Sequence, residues 1–223
     1  MVTGIVLAAG RSTRMGGGPN KQFLELLGQP LVHYSLAAFE QCCVIDEIIV
    51  VRRPDYAEQA KEIARQFKKV TAFADGGVER QNSVWNGLEK AKGDIVAVHD
   101  GARPLVTPAL IEATVASAHA NGTGIAATKV VDTIKEATDK VVERTVDRTK
   151  LWAVQTPQTV RTELLRQAYR QVLAKGVVVT DEAAAVEMLG HRVDLVETPF
   201  LNLKVTTPSD LAMAEALLYS RTK

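Results

Sequence analysis

The chain has 223 residues, of which 46% are hydrophobic, 24% charged and 5% aromatic, the profile of an ordinary globular protein, so collagen, coiled coil and extended disorder are excluded. Lys and Arg number 27 against 26 Asp and Glu, for a net charge of +1. No bulk field draws the chain to nucleic acid or a membrane surface, and any anion site must be local.

A chain of this length buries about 70% of its unfolded surface without a disulfide or metal staple. We expect one domain over residues 1–223, with an appendage but no internal boundary. The apolar start Ile5-Val6-Leu7-Ala8 has no basic residue before it, and Arg11 arrives too soon for a signal peptide. No other apolar run approaches the ~20 residues of a membrane span. The adjacent Cys42 and Cys43 would be strained as a disulfide. The expected location is therefore a reducing cytoplasm.

Short apolar runs alternate with helical periodicity along the chain. Strands are expected at residues 5–8, 47–51, 70–73 and 95–98, and helices at 30–41, 55–67, 79–91 and 107–120. Pro30 and Pro108 fall near helix starts, where a missing N–H is tolerated. This rhythm predicts an open, doubly wound α/β fold, its mostly parallel sheet covered by helices on both faces. The rhythm breaks between about Lys129 and Leu151, where two polar-rich extended segments flank Ala137-Thr138-Asp139. We read residues 130–151 as a projecting β-hairpin arm; the pattern alone also allows an edge hairpin lying flat on the main sheet. Beyond it come an extended 152–155, helices at 162–174 and 181–189, a strand at 192–197 and a final helix at 209–219.

The segment from Leu7 to Lys21 follows the first strand, where a doubly wound fold binds its ligands. Its small residues and glycines let backbone N–H groups approach a polyphosphate, while Arg14 and Lys21 supply positive charge. A solvated surface loop is the plain alternative. The segment lacks the spacing of a Walker A loop and of a dinucleotide-binding fingerprint. Asp100 ends a strand, where its carboxylate suits a hard Mg²⁺ ion or simply caps a turn. His99-Asp100 shares two letters with metal phosphohydrolases, but His33, His119 and His191 have no spacing suited to a metal cluster.

Leu7-Ala8-Ala9-Gly10 with Arg14-Met15, Pro19 and Lys21 resembles the signature loop of nucleotidyltransferases with the nucleotide-diphospho-sugar transferase fold. The resemblance sharpens to the 2-C-methyl-D-erythritol 4-phosphate cytidylyltransferase family through segments in order along nearly the whole chain. These are Gly76-Gly77 with Arg80 and Ser83, His99-Asp100 with Arg103-Pro104, Asp132-Thr133, Asp147-Arg148, Thr156-Pro157-Gln158, Thr180-Asp181-Glu182 and Asn202-Leu203-Lys204. Ser12 departs from the glycine many members carry.

The resemblance implies transfer of CMP from CTP to methylerythritol phosphate, with pyrophosphate released and Mg²⁺ as cofactor. It implies that Arg14 and Lys21 are catalytic, holding the triphosphate and the pentavalent α-phosphate. Ala8, Ala9, Gly10, Gly77 and Ser83 would contact cytosine and ribose, Asp100 would bind the metal, and Lys204 would reach both the triphosphate and the substrate phosphate. Arg103, Thr156 and Thr180 match positions around the polyol phosphate. Thr133 and Arg148 match positions on an arm that completes the site of the partner in a homodimer. Asp181 and Glu182 read as first-turn acids of a helix. A cytidylyltransferase for ribitol 5-phosphate and a nucleotide-binding module without turnover remain alternatives.

Overall fold

The computed structural model describes residues 1–10, 21–198 and 201–221, with the backbone alone at Lys21. Its elements are β1 (Val2–Ala8), β2 (Glu25–Leu26), β3 (Gln29–Pro30), α1 (Leu31–Gln41), β4 (Glu47–Arg52), α2 (Ala57–Ala64), β5 (Val70–Asp75), α3 (Arg80–Leu88) and β6 (Ile95–Asp100). There follow α4 (Pro108–Asn121), β7 (Thr123–Lys129), β8 (Ile134–Thr138), β9 (Val141–Val146), β10 (Trp152–Arg161), α5 (Thr162–Ala174), α6 (Glu182–Glu187), β11 (Leu195–Glu197) and α7 (Pro208–Arg221).

Seven strands form one sheet in the order β11-β7-β10-β6-β1-β4-β5. The pairs β4–β1, β1–β6, β5–β4 and β11–β7 are parallel, and β10 runs antiparallel to both neighbours. Alternation along the central strands feeds two cores. Val6, Ala8, Val50 and Ala97 face α1, α2 and α4, while Ile5, Leu7, Val51 and Val98 face α3, α5 and α6. Burial on both faces explains why β1 and β4 read as unbroken apolar runs. From β1 the chain winds outward through β4 and β5, then crosses back under α3 to β6. The reversal opens a crevice at the carboxyl ends of β1 and β6.

The opposite end of the sheet is tied by Glu47. Its buried carboxylate accepts from the hydroxyls of Thr3 (2.7 Å) and Thr71 (3.1 Å) and from the Lys92 N–H (3.0 Å), joining the starts of β1, β4 and β5 to the loop before β6.

The segment 130–151 forms its own two-stranded sheet, β8 with β9, apart from the seven-stranded one, so it projects and does not lie as a flat edge hairpin. The turn sits at Asp139-Lys140, where both residues have positive φ, and Ala137 and Thr138 belong to the strand. Consecutive left-handed residues are the signature of a two-residue hairpin turn whose twist matches its strands.

Strand β7 has no counterpart in the sequence expectations. Its Gly124-Ile125-Ala126-Ala127 carries little strand propensity. The reason is close packing: a Cβ on Gly124 would lie 2.1 Å from the Thr114 carbonyl oxygen of α4. Gly122, at φ +93°, ends α4 immediately before it. Both cysteines are free, Cys42 buried and Cys43 exposed. Among the described residues, no helix is long and apolar enough to cross a membrane.

His99 on β6 is wholly buried, 5.4 Å from the Phe39 ring, and burial lowers its pKa to about 3. A neutral buried histidine is a liability in acid. Below about pH 6.5 the unfolded chain takes a proton that the folded chain refuses, so this contribution to stability falls steadily from there down to the folded value. We expect urea midpoints of His99→Asn to fall less between about pH 7 and 5 than those of the parent chain; equal slopes would reject the assignment. Gly124→Ala should destabilise the fold by about 1–3 kcal/mol through overpacking against backbone. The corresponding loss, at about 2–4 °C per kcal/mol, is measurable by thermal melts.

Candidate active site

The crevice at the end of β1 and β6 is a cavity of about 460 Å³, lined among others by Ala9, Gly10, Gly77, Ser83, Asp100 and Lys204. These residues come from distant parts of the chain. Ala9 and Gly10 continue from β1, Gly77 follows β5, Ser83 lies on the first turn of α3, Asp100 is the last residue of β6, and Lys204 precedes α7. The Lys204 segment is fixed by the Val205 N–H, which donates to the Ala102 carbonyl at 2.8 Å.

The glycine pair after β5 serves close approach. A Cβ on Gly76 would sit 2.3 Å from that of Ala9, and one on Gly77 would sit 2.2 Å from that of Asn82. The Ser83 hydroxyl accepts from the Gly77 N–H at 3.0 Å and donates to the Glu79 carbonyl at 3.3 Å. It thus shapes the loop that forms one wall.

Charge concentrates around Asp100. One carboxylate oxygen accepts from Arg80 through Nε (3.3 Å) and Nη2 (3.2 Å), and the other accepts from Lys204 Nζ at 2.5 Å. Burial by itself would raise the Asp100 pKa, but Arg80 and Lys204 overcome it and hold the carboxyl well below the usual range. Arg80 also grips Glu182 with two nitrogens, at 2.7 and 3.1 Å, and the Tyr169 hydroxyl donates to the same carboxylate at 3.0 Å. Despite its own burial, Arg80 is held well above its ordinary value by Glu182 and Asp100. Lys204 is the more accessible of the two cations, with 37% of its side chain exposed against 27% for Arg80.

Ala8 is buried at the end of β1, between the lining residues Leu7 and Ala9. Arg103 and Thr156 stand together behind Asp100. The Asp100 N–H donates to Thr156 Oγ1 at 3.1 Å, and the Arg103 N–H closes a turn on the Asp100 carbonyl at 2.9 Å. Thr156 reaches this position because β10 shifts register against β7 between Val154 and Gln158. Thr180 is exposed just before α6, in a segment tied down by side-chain amides. Gln81 Oε1 receives the Val179 N–H at 2.8 Å, while Gln158 bonds Asp181 at 3.1 Å and the Ala183 N–H at 2.9 Å. Thr133 and Arg148 lie on the arm and outside this cavity's lining, and Arg148 donates to the Val131 carbonyl. Arg14 falls outside the described residues, as does the side chain of Lys21.

Asp181, read as a first-turn acid, is instead the N-cap of α6, accepting from the Ala184 N–H at 2.9 Å. Glu182 does stand in the first turn of α6, but it is 0% exposed and paired with Arg80. Nothing local distinguishes those two positions, since the partner of Glu182 lies 102 residues away. Arg80 was legible only as a cation three residues after a glycine pair. Among the described residues, no group of three or more His, Cys, Asp or Glu is placed to hold a metal ion. The Asp100 carboxylate at the cavity is nevertheless a hard oxygen donor of the kind Mg²⁺ takes, since that ion binds through one or two carboxylates and fills its other positions with water or phosphate oxygens.

Comparison with known proteins identifies the family. The profile of the IspD family, 2-C-methyl-D-erythritol 4-phosphate cytidylyltransferase, matches residues 2–220. The chain is 46% identical over 220 residues to the protein of that name from Geobacillus kaustophilus, covering 97% of this chain and 96% of the relative. Among solved structures it is similar to 4-diphosphocytidyl-2C-methyl-D-erythritol synthase from Anaerococcus prevotii, with TM-score 0.86, 29% identity and 98% of each chain covered. It is likewise similar to 2-C-methyl-D-erythritol 4-phosphate cytidylyltransferase from Thermus thermophilus, with TM-score 0.82, 34% identity, and 96% of this chain and 98% of that one covered. The fold, the cavity and these full-length relatives together make the chain a member of the 2-C-methyl-D-erythritol 4-phosphate cytidylyltransferase family.

Proposed function

We propose that the cavity at the end of β1 and β6 binds CTP and that the chain transfers its cytidylyl group to 2-C-methyl-D-erythritol 4-phosphate. The observation that carries the assignment of the site is the Arg80–Asp100–Lys204 cluster at the strand reversal of a chain matched to this family over residues 2–220. A phosphate monoester oxygen of the acceptor attacks the α-phosphorus, a new P–O bond forms, and the bond to the β-phosphate oxygen breaks to release pyrophosphate. The monoester has its second pKa near ~6 and arrives ionised at neutral pH, so no general base is required. Catalysis then consists of orientation and charge stabilisation.

Arg14 and Lys21 neutralise charge on the triphosphate and on the pentavalent α-phosphate. Ala8, Ala9, Gly10, Gly77 and Ser83 form the wall for cytosine and ribose. Lys204, the more exposed partner of Asp100, turns from that carboxylate to phosphate, while Arg80 stays gripped by Glu182 and keeps Asp100 in place. Asp100 is the residue that would hold Mg²⁺, and the ion supplies charge neutralisation across the phosphates when bound. The acceptor is held by Arg103, Thr156 and Thr180, with Thr133 and Arg148 delivered by the arm of a second copy. The arm supports an exchange of this kind because it stands apart from the main sheet and exposes Val131, Val141 and Val142. A two-stranded hairpin is marginal alone, and exposed valines on it call for a partner surface. We place the enzyme in the cytoplasm, where its free cysteines stay reduced, as one catalytic domain over residues 1–223 with the arm at about 130–151.

Pyrophosphate release with CTP and Mg²⁺ tests the assignment directly. Fast turnover is expected with methylerythritol 4-phosphate and little with ribitol 5-phosphate; the reverse preference would move the protein to polyol activation, and silence with both would make it a nucleotide binder. Arg14→Ala and Lys21→Ala should each lower kcat by about 10² or more, and near-normal turnover in either would refute their role. Arg148→Ala should raise the KM of the acceptor while leaving CTP binding intact. Loss of CTP affinity at unchanged acceptor KM would count against the arm.

A further inference from the structure

Two buried side chains that touch neither the cavity nor the arm join the residues assigned to the acceptor. His99 presents Nδ1 to Thr156 Oγ1 at 3.0 Å and Nε2 to the Arg103 carbonyl at 3.4 Å. Asn202 donates from Nδ2 to the Thr156 carbonyl at 2.8 Å, and its own backbone carbonyl accepts from Arg103 Nη1 at 2.6 Å. Both residues are 0% exposed. Thr156 and Arg103 are thus each held twice, by the same two residues. The hold spans three separate segments: the end of β6, the bulge of β10 and the stretch before Lys204.

The hydrogen bonds also run in one direction. Thr156 Oγ1 accepts from the Asp100 N–H at 3.1 Å, so its own proton is free to point at His99 Nδ1. Nδ1 is then an acceptor and the ring proton resides on Nε2, where the Arg103 carbonyl receives it. A fixed amide at one end and a fixed carbonyl at the other determine both the hydroxyl rotor and the imidazole tautomer. This is not metal-ligand geometry, because both ring nitrogens are already engaged.

We propose that His99 and Asn202 are positioning residues for the acceptor half of the reaction: they lock Thr156 and Arg103 into the spacing that receives the polyol phosphate. The inference rests on the reading that Arg103 and Thr156 face the acceptor. Neither residue contacts a reacting atom. Their side chains act through the Thr156 hydroxyl and the backbone carbonyls of Thr156 and Arg103, which place the Thr156 hydroxyl and the root of the Arg103 side chain, and a misplacement of about 1 Å at such groups is enough to cost a large factor in rate. CTP contacts, made on the other side of Asp100, are left alone.

The test compares steady-state KM values for methylerythritol 4-phosphate and CTP in the full-length protein. Asn202→Ala, which removes the Thr156 anchor, should raise the acceptor KM by about tenfold, a loss typical of one buried hydrogen bond, with the CTP KM within about twofold. His99→Ala should do the same. His99→Asn, whose amide oxygen stands where Nδ1 stood, should recover much of the loss. Histidine ¹⁵N NMR of the parent chain should show the Nε2–H tautomer at His99, a readout independent of turnover. The opposite tautomer, equal rises in both KM values, or unchanged KM values in variants that merely melt lower would each overturn the proposal. Arg103→Ala separates the two layers: an unchanged acceptor KM there would overturn the acceptor assignment itself, whereas a large rise there with none in Asn202→Ala and His99→Ala would overturn the positioning role alone.

Discussion

The ion pairing of Asp100 is the constraint around which the functional half of this molecule is built. A carboxylate at the end of a buried strand is unfavourable unless cations and hydrogen bonds meet it. Here Arg80 and Lys204 do so from opposite sides, each contacting a different oxygen. Arg80 in turn requires Glu182, since a guanidinium this enclosed needs carboxylates along more than one edge. The chain of necessity therefore runs from β6 through α3 to α6. Two carboxylates and two cations balance before any ligand enters, and the more exposed cation is the one able to change partner.

The two ends of the sheet divide the labour. At the amino ends Glu47 ties three strands and a loop together with neutral hydroxyl and amide donors. At the carboxyl ends charged groups gather around Asp100, and the glycine pair after β5 lets the chain approach Ala9 and Asn82 closely enough that a Cβ would collide. Stability resides at one end and chemistry at the other. The same strands serve both because a parallel sheet buries their middles on two faces and leaves their ends to be specialised.

The side we propose for the acceptor follows a different principle. Arg103 and Thr156 are held by neutral groups, His99 and Asn202, whose hydrogen bonds are directional and short in reach. Under the proposed function, the charge around Asp100 would suit a highly anionic triphosphate, while directional neutral bonds around Arg103 and Thr156 would suit placement of a nucleophile. The arm stands outside this framework, and it exposes Val131, Val141 and Val142.

The strand and helix rhythm, the position of the first loop after β1, the projecting segment at 130–151 and the motif residues of the family were all legible in the amino-acid order, because local periodicity and short spacing carry them. The helix at 162–174 matches α5 residue for residue. Strand β7 was not legible, because its Gly124 and alanines answer to the closeness of α4 and not to strand propensity. Nor could the sequence separate Asp181 from Glu182, adjacent acids at a helix start, one a cap and one a buried counter-ion to Arg80. The same holds for His99, whose neighbourhood of Arg103, Thr156 and Asn202 is drawn from three separate stretches of the chain. Sequence by itself determined which residue types stand at the ends of which strands. Only the tertiary structure decided which of them meet, since burial and partner choice are set by contacts between segments that the linear order keeps far apart.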